Sequence, residues 1–298
     1  MKKITSLFLT AIICSMTLFV GCSSDSSSSA EPKPTASTDT TVKTTGNKIQ
    51  INDSTLGEIW ITELDGVPQN KLNNDNFTSD STFKYYSENG KAASLEGIDI
   101  SSYSGDVDWK KVKDSGVDFV IVRIGGRGYG DEGALYTDDR ALEYIDGAHN
   151  AGLKVGGYFF SQAINTEEAV EEADYVKSIL GDLKLEFPVA YDWEIIKDED
   201  ARTDNVSAAE ATNCARAFCD RIIEHGYKTM LYSPSRELYF KYDLSRLADI
   251  DIWYCEYSNL PTFYYQFSMW QYSSTGKVDG IDADVDMNIC FTGVADYD

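Results

Sequence analysis

From Leu95 onward, short apolar runs alternate with longer amphipathic ones. The apolar runs are GIDIS (97–101), FVIVRIGG (119–126), KVGGYFFSQ (154–162), FPVAYDWE (187–194), KTMLYS (228–233), DIWYCEY (251–257) and MWQYS (269–273). Between them stand WKKVKDSG, ALEYIDGAHNAG, TEEAVEEADYVKSIL and AAEATNCARAFCDRIIEHG, whose apolar residues recur every three or four positions. The first pattern predicts strands and the second predicts helices. Gly116, Gly152 and Gly226 stand at the helix ends, where a left-handed cap favours glycine. Strands alternating with helices predict a parallel sheet closed into an α/β barrel. Residues 47–94 differ: short alternating runs are broken by turn signals at Asn52-Asp53, Asp65-Gly66 and Asn89-Gly90, which predicts a small β-rich N-terminal extension. Residues 22–46 are Ser/Thr-rich without apolar periodicity and read as a disordered linker.

In such barrels functional side chains sit at the carboxyl ends of strands. There the sequence places Asp99, Arg123, Tyr158, Phe160, Asp192, Glu194, Tyr232, Trp270 and Gln271. Asp192 and Glu194 are two residues apart, so they share one strand face with Cα atoms about 6.6 Å apart. Like charges so close repel unless both meet water or one holds a proton. Burying both in a core would be costly. The pair therefore belongs at a strand end that opens onto solvent or a cleft. A solvated strand-to-loop turn and an acid/base pair both meet this condition. Acids recurring at the ends of separate segments favour the second.

Composition narrows the chemistry. The 298 residues carry 49 acidic against 26 basic side chains, a net charge of −23. A nucleic-acid partner is excluded, because binding a phosphate backbone needs a basic face. There are only two histidines, His149 and His225, and neither lies in an HExxH frame, so zinc hydrolysis and a Ser–His–Asp mechanism have little to build on. Carboxylates must carry any chemistry. The 19 tyrosines suit sugar stacking. Two motifs are distractors. The glycines of GGRGYG (125–130) miss the GxGxxG spacing, and the segment reads as a flexible loop lining a cleft. DADVDMN (282–288) lacks the glycine and closing Glu of a calcium loop, and reads as a strand with Asp282, Asp284 and Asp286 on one face.

The amino terminus opens with Lys2 and Lys3 and an apolar run to Gly21, a secretory signal over residues 1–21. Phe19-Val20-Gly21-Cys22 resembles a bacterial lipobox, which implies lipidation of Cys22, a membrane anchor and an extracytoplasmic location on the cell surface. Cys214, Cys219, Cys255 and Cys290 remain in the body without CxxC or metal spacing, and are expected as buried thiols.

GIDISSYSGDVDWKKVK (97–113), FVIVRIGGRGYG (119–130), AGLKVGGYFFSQA (151–163), EEAVEEADY (167–175), FPVAYDWE (187–194) and WQYSSTGKVDGIDADVDMN (270–288) together resemble glycoside hydrolase family 25, the Chalaropsis-type lysozymes. The resemblance assigns residues 95–298 to a catalytic domain. It implies an irregular, TIM-like β/α barrel with fewer helices than strands. It also implies hydrolysis of the bond between N-acetylmuramic acid and N-acetylglucosamine in peptidoglycan, by a monomer without metal or cofactor. By resemblance Glu194 is the general acid and Asp192 orients the substrate acetamide, while Asp99 and Asp286 hold the acid pair and the sugar. Tyr158, Tyr232 and Trp270 match groove positions, and Arg123 is expected to contact substrate. Family members often carry His where Phe159 stands, so altered substrate contacts are expected there. A peptidoglycan-binding lipoprotein without catalysis is the alternative.

Overall fold

In a computed structural model the structure describes residues 42–196, 200–294 and 297. The signal segment, Cys22 and the linker up to residue 41 lie outside the described residues. The first strand, β1 (Thr44–Asp53), begins inside the stretch read as linker and pairs antiparallel with β2 (Gly57–Leu64). A three-stranded sheet follows, made of β3 (Phe77–Ser79), β4 (Lys84–Glu88) and β5 (Lys91–Ala92).

The barrel begins with β6 (Ser94–Ile100), helix α1 (Trp109–Asp114) and β7 (Phe119–Arg127), which carries a short hairpin partner β8 (Leu135–Thr137). Helix α2 (Ala141–Asn150), β9 (Lys154–Ser161), α3 (Thr166–Leu180), β10 (Val189–Trp193), α4 (Ala208–Glu224) and β11 (Thr229–Pro234) continue the alternation. Helix α5 (Ser235–Phe240), β12 (Asp251–Cys255), β13 (Met269–Gly276) and β14 (Val285–Phe291) complete it. Pairing runs β6-β14-β13-β12-β11-β10-β9-β7, and a parallel β6–β7 pairing closes the ring. Within the ring β14 alone runs antiparallel to its neighbours, so the β13–β14 connection needs no crossover helix. Five helices among the described residues against eight ring strands make the irregular barrel expected from the sequence.

Period-2 alternation sorts each strand into lumen and outer positions. Phe119, Ile121, Phe187, Ala190, Met230, Trp253, Met269 and Cys290 fill the lumen, with Phe119 and Phe187 stacked at 4.4 Å between ring centroids. Gly97 makes room for this plug, since a Cβ there would come within 2.2 Å of the Phe119 ring. Outer positions such as Val120, Val155, Val189, Tyr191 and Leu231 meet the apolar stripes of the helices. Helix α3 buries Ala169, Glu172, Ala173, Val176 and Leu180 at helical spacing, capped by Asn165, whose side chain accepts from the Glu168 amide. Helix α4 is capped likewise by Ser207.

The one acid in the α3 stripe, Glu172, is matched by buried Arg127 at 2.8 Å. GGRGYG therefore does not begin as a flexible loop. Gly125, Gly126 and Arg127 belong to β7, and Cβ atoms at the two glycines would strike Tyr136 of β8. In DADVDMN the strand begins only at Val285, leaving Asp282 and Asp284 in the preceding loop. The cysteines named above are free thiols; Cys255 is half-buried and the other three are buried.

Among the described residues no helix packs on the outer face of β13 and β14. The extension covers it instead: Phe77 packs edge-on against Trp270 and Phe291, and Tyr86 against Phe291. Tyr265 accepts from the Leu64 amide at 2.8 Å and Tyr272 from the Lys84 amide at 3.3 Å. Among the described residues no helix is long and apolar enough to cross a membrane.

Candidate active site

At the carboxyl ends of the parallel strands the lumen opens into a cavity of about 190 Å³ lined by Asp99, Tyr158, Asp192, Glu194, Tyr232, Trp253, Tyr257, Gln271 and Asp286. Register brings these together. Asp99 of β6 is paired directly with Asp286 of β14, Asp192 of β10 with Tyr232 of β11, and Tyr232 with Trp253 of β12. Asp192 shares the lumen face with Ala190, while Val189, Tyr191 and Trp193 of the same strand face the helices. Glu194 lies one residue past the strand end and is half-exposed. Its carbonyl accepts from buried Gln162, which Thr203 holds in turn at 2.9 Å.

Asp99 is held by neutral donors. Gln271 Nε2 and Asn288 Nδ2 each donate to its Oδ2 at 2.8 Å. Both amides are oriented from behind. Tyr232 donates its hydroxyl to Gln271 Oε1 at 2.9 Å, and Trp253 donates its indole N–H to Asn288 Oδ1 at 2.8 Å. An indole can only donate, so the Asn288 amide must turn its NH₂ toward Asp99.

The cluster holds protons tightly. Burial raises Asp99 well above the usual carboxylate range, and the nearby Asp286 and Glu194 add to this against the two amide donors. Burial also raises Asp192, reinforced by the charge of Glu194 and a hydrogen bond to it. Asp192 Oδ1 is buried without a hydrogen-bond partner. Asp286 is pushed up to about 6, chiefly by burial. Arg123 works the other way on Asp192. Its guanidinium is anchored by Asp138 at 2.7 Å and lies against the Tyr103 ring, so it acts at the rim and does not line the cavity.

These shifts set the pH dependence of stability. All three aspartates bind protons more tightly folded than unfolded, so their contribution is fully present below the ordinary carboxylate range. It is lost as pH rises through the folded values, which for Asp286 means through about 6. The melting temperature is therefore expected to fall between pH 5 and pH 8. Asp286→Asn should flatten that slope and raise the pH 8 value; an unchanged slope in thermal melts would contradict it.

Two expectations from the sequence are corrected. Trp270 does not line the cavity. It is fully buried on the outer face of β13, its indole donating to the Glu256 carbonyl at 2.8 Å, because the alternation that turns Gln271 inward turns Trp270 outward. Phe159 likewise faces the helices, packing on Tyr175 and Phe218, while its neighbour Tyr158 takes the lumen side. The tryptophan of the site is Trp253. Together with Asn288, Tyr257 and Gln162 it was not picked out from the sequence. Strand parity within DIWYCEY and DVDMN was the available signal for the first two.

Residues 98–281 match the family described as glycosyl hydrolases family 25. The chain is 31% identical over 202 residues to an autolytic lysozyme of Clostridium acetobutylicum, covering 67% of this chain and 57% of that protein's length. It is 26% identical over 204 residues to lysozyme M1 of Streptomyces globisporus, covering 65% and 67%. The fold resembles the spore cortex lytic enzyme of Clostridium perfringens, with a TM-score of 0.58 at 24% identity over 67% of this chain and 68% of that one. It also resembles a lysozyme of Streptomyces coelicolor, with a TM-score of 0.54 at 23% identity over 67% and 93%. With the match spanning more than half of the sequence, the chain belongs to glycosyl hydrolases family 25.

Proposed function

We propose that this chain is a lysozyme-type muramidase, hydrolysing the β-1,4 bond between N-acetylmuramic acid and N-acetylglucosamine in peptidoglycan glycan strands. The observation that carries this reading is the position of Glu194. It borders both the acid-lined cavity of Asp99, Asp192 and Asp286 and an open groove of about 700 Å³ that continues past Tyr232 and Tyr257. A sugar ring in the cavity and a leaving group in the groove put the bond between them beside Glu194.

Glu194 then donates its proton to the glycosidic oxygen as the bond to the anomeric carbon breaks, and later recovers a proton from the attacking water. Burial, reinforced by the neighbouring Glu194, holds Asp192 well above the usual carboxylate range. The transition state carries oxocarbenium character, and the surrounding carboxylates stabilise its positive charge. Asp192, deep in the cavity, faces the acetamide of the bound sugar, and Asp99, held by its two amides, fixes the floor. Tyr158, Tyr232 and Trp253 supply ring faces, and Arg123 positions the rim through Asp138.

The test is mass spectrometry of peptidoglycan reduced with borohydride, digested with the protein and reduced again. New muramitol ends are expected. Binding without new ends would establish a binder without catalysis. The domain boundaries, a monomeric state, and lipid anchoring at Cys22 outside the cytoplasm complete the proposal. Fatty-acid labelling of the chain in cells should disappear in Cys22→Ser; persistent labelling would remove the anchor.

A further inference from the structure

The matched family segment begins at residue 98, so the β1–β2 hairpin lies outside it. Yet this hairpin reaches the groove: Asn52, Ser54 and Thr55 at its tip line it together with Tyr257 and Ser258. The tip is pinned in place. Asp53 is buried, its Oδ1 accepts from the Thr55 and Leu56 amides, and its carboxylate pairs with Arg236 of α5. Ser258 is fixed as well, because the Glu256 carboxylate accepts from Ser258, from the Thr262 amide and from the Thr262 hydroxyl. Two strand positions back from Asn52, Gln50 is paired with Trp60, which puts Trp60 on the same hairpin face as Asn52. Trp60 is 64% exposed.

An indole left this open, on the hairpin face that carries Asn52 into a groove of hydroxyls and amides, has the chemistry of a saccharide platform, where an apolar ring face stacks and neighbouring polar groups take the hydroxyls. We infer that the β1–β2 hairpin supplies a leaving-group-side saccharide subsite, with Asn52, Ser54 and Thr55 along the groove and Trp60 stacking a sugar ring beyond them. This rests on the muramidase reading for its direction: the groove begins at Glu194, the proton donor to the leaving group, so the hairpin meets the part of the strand that departs. Long glycan strands reach it and short fragments end before it.

The experiment measures, in the full chain carrying Glu194→Gln so that ligand is not consumed, the affinity for long glycan strands and for a reduced tetrasaccharide fragment. The ratio of the two affinities is read in Trp60→Ala, which removes the ring, and in Asn52→Ala, which removes an exposed amide lining the groove. Each is expected to lower the long-strand preference by about threefold to tenfold, the scale of one aromatic contact or one hydrogen bond. An unchanged ratio, or equal loss for both ligands, would overturn the subsite. Turnover by the unmutated chain is scored separately. A shifted ratio without turnover would keep the hairpin as a glycan-binding element and discard the muramidase. Turnover with an unshifted ratio would do the reverse.

Discussion

Glu194→Gln is expected to abolish the release of new muramitol ends while leaving the fold intact. General acid catalysis contributes about 10²–10⁴-fold, so the loss is roughly 3–5 kcal/mol in the barrier. Glutamine keeps the shape and polarity of the side chain and removes the transferable proton. The fold should tolerate the change, because Glu194 is half-exposed and lies past the end of β10. Its structural bond to Gln162 uses the backbone carbonyl. The melting curve should therefore overlay that of the unmutated chain, and binding of glycan strands should persist. A variant that releases ends within a few fold of the parent would remove Glu194 from the chemistry. A variant that melts early would mean that the lost activity reports unfolding.

Arg127→Met should be the most destabilising single exchange, and it lies outside the cavity. Arg127 is buried and holds Glu172 at 2.8 Å, Glu171 at 2.7 Å and the Gly133 carbonyl at 2.8 Å. Without it Glu172, fully buried in the α3 stripe, retains the Ser161 hydroxyl at 2.6 Å as its side-chain partner. Breaking a buried pair from one side costs about 3–5 kcal/mol, which for a domain of this size lowers Tm by roughly 10 °C.

The pH dependence separates this cause from simple loss of packing. Burial already raises Glu172 to about 7, above its unfolded value. Removing the arginine raises it further, so at low pH the acid is neutral and the deficit shrinks, whereas at pH 8 it is largest. The double exchange Arg127→Met with Glu172→Gln should recover part of the loss at pH 8. A deficit independent of pH, or no recovery in the double variant, would mean that the ion pair is not what stabilises this layer. Activity should follow stability here, since α3 backs the strand that ends at Ser161, just before Gln162.

Much of the architecture was legible in the chain. Apolar runs at strand spacing alternate with amphipathic helical stretches, and that order leaves a closed β/α ring as the economical solution. The Asp192–Glu194 spacing pointed to one side of the chain because side-chain alternation is a local property, and both acids line the cavity although β10 ends at Trp193, one residue before Glu194. Asp99 and Asp286 were drawn in by their place in recognisable motifs. Parity was available but undecided: within MWQYS or YFF, alternation says that neighbours face opposite ways without saying which faces the lumen. That choice depends on what covers the outside. Trp270 goes outward because Phe77 of the extension is there to bury it. Phe159 goes outward because α3 and α4 supply Tyr175 and Phe218.

Other features belong to the tertiary structure alone. The orientation of the Asn288 amide toward Asp99 follows from a tryptophan 35 positions earlier. The pairing of Arg127 with Glu172, 45 positions apart, turns the start of an apparent flexible loop into a buried contact. The hairpin reaches the groove because Asp53 finds Arg236 across 183 residues. Local periodicity determined which elements form and which residues share a face. Register, closure and long-range partners decided which face becomes the cavity, since those contacts exist only once the ring has closed.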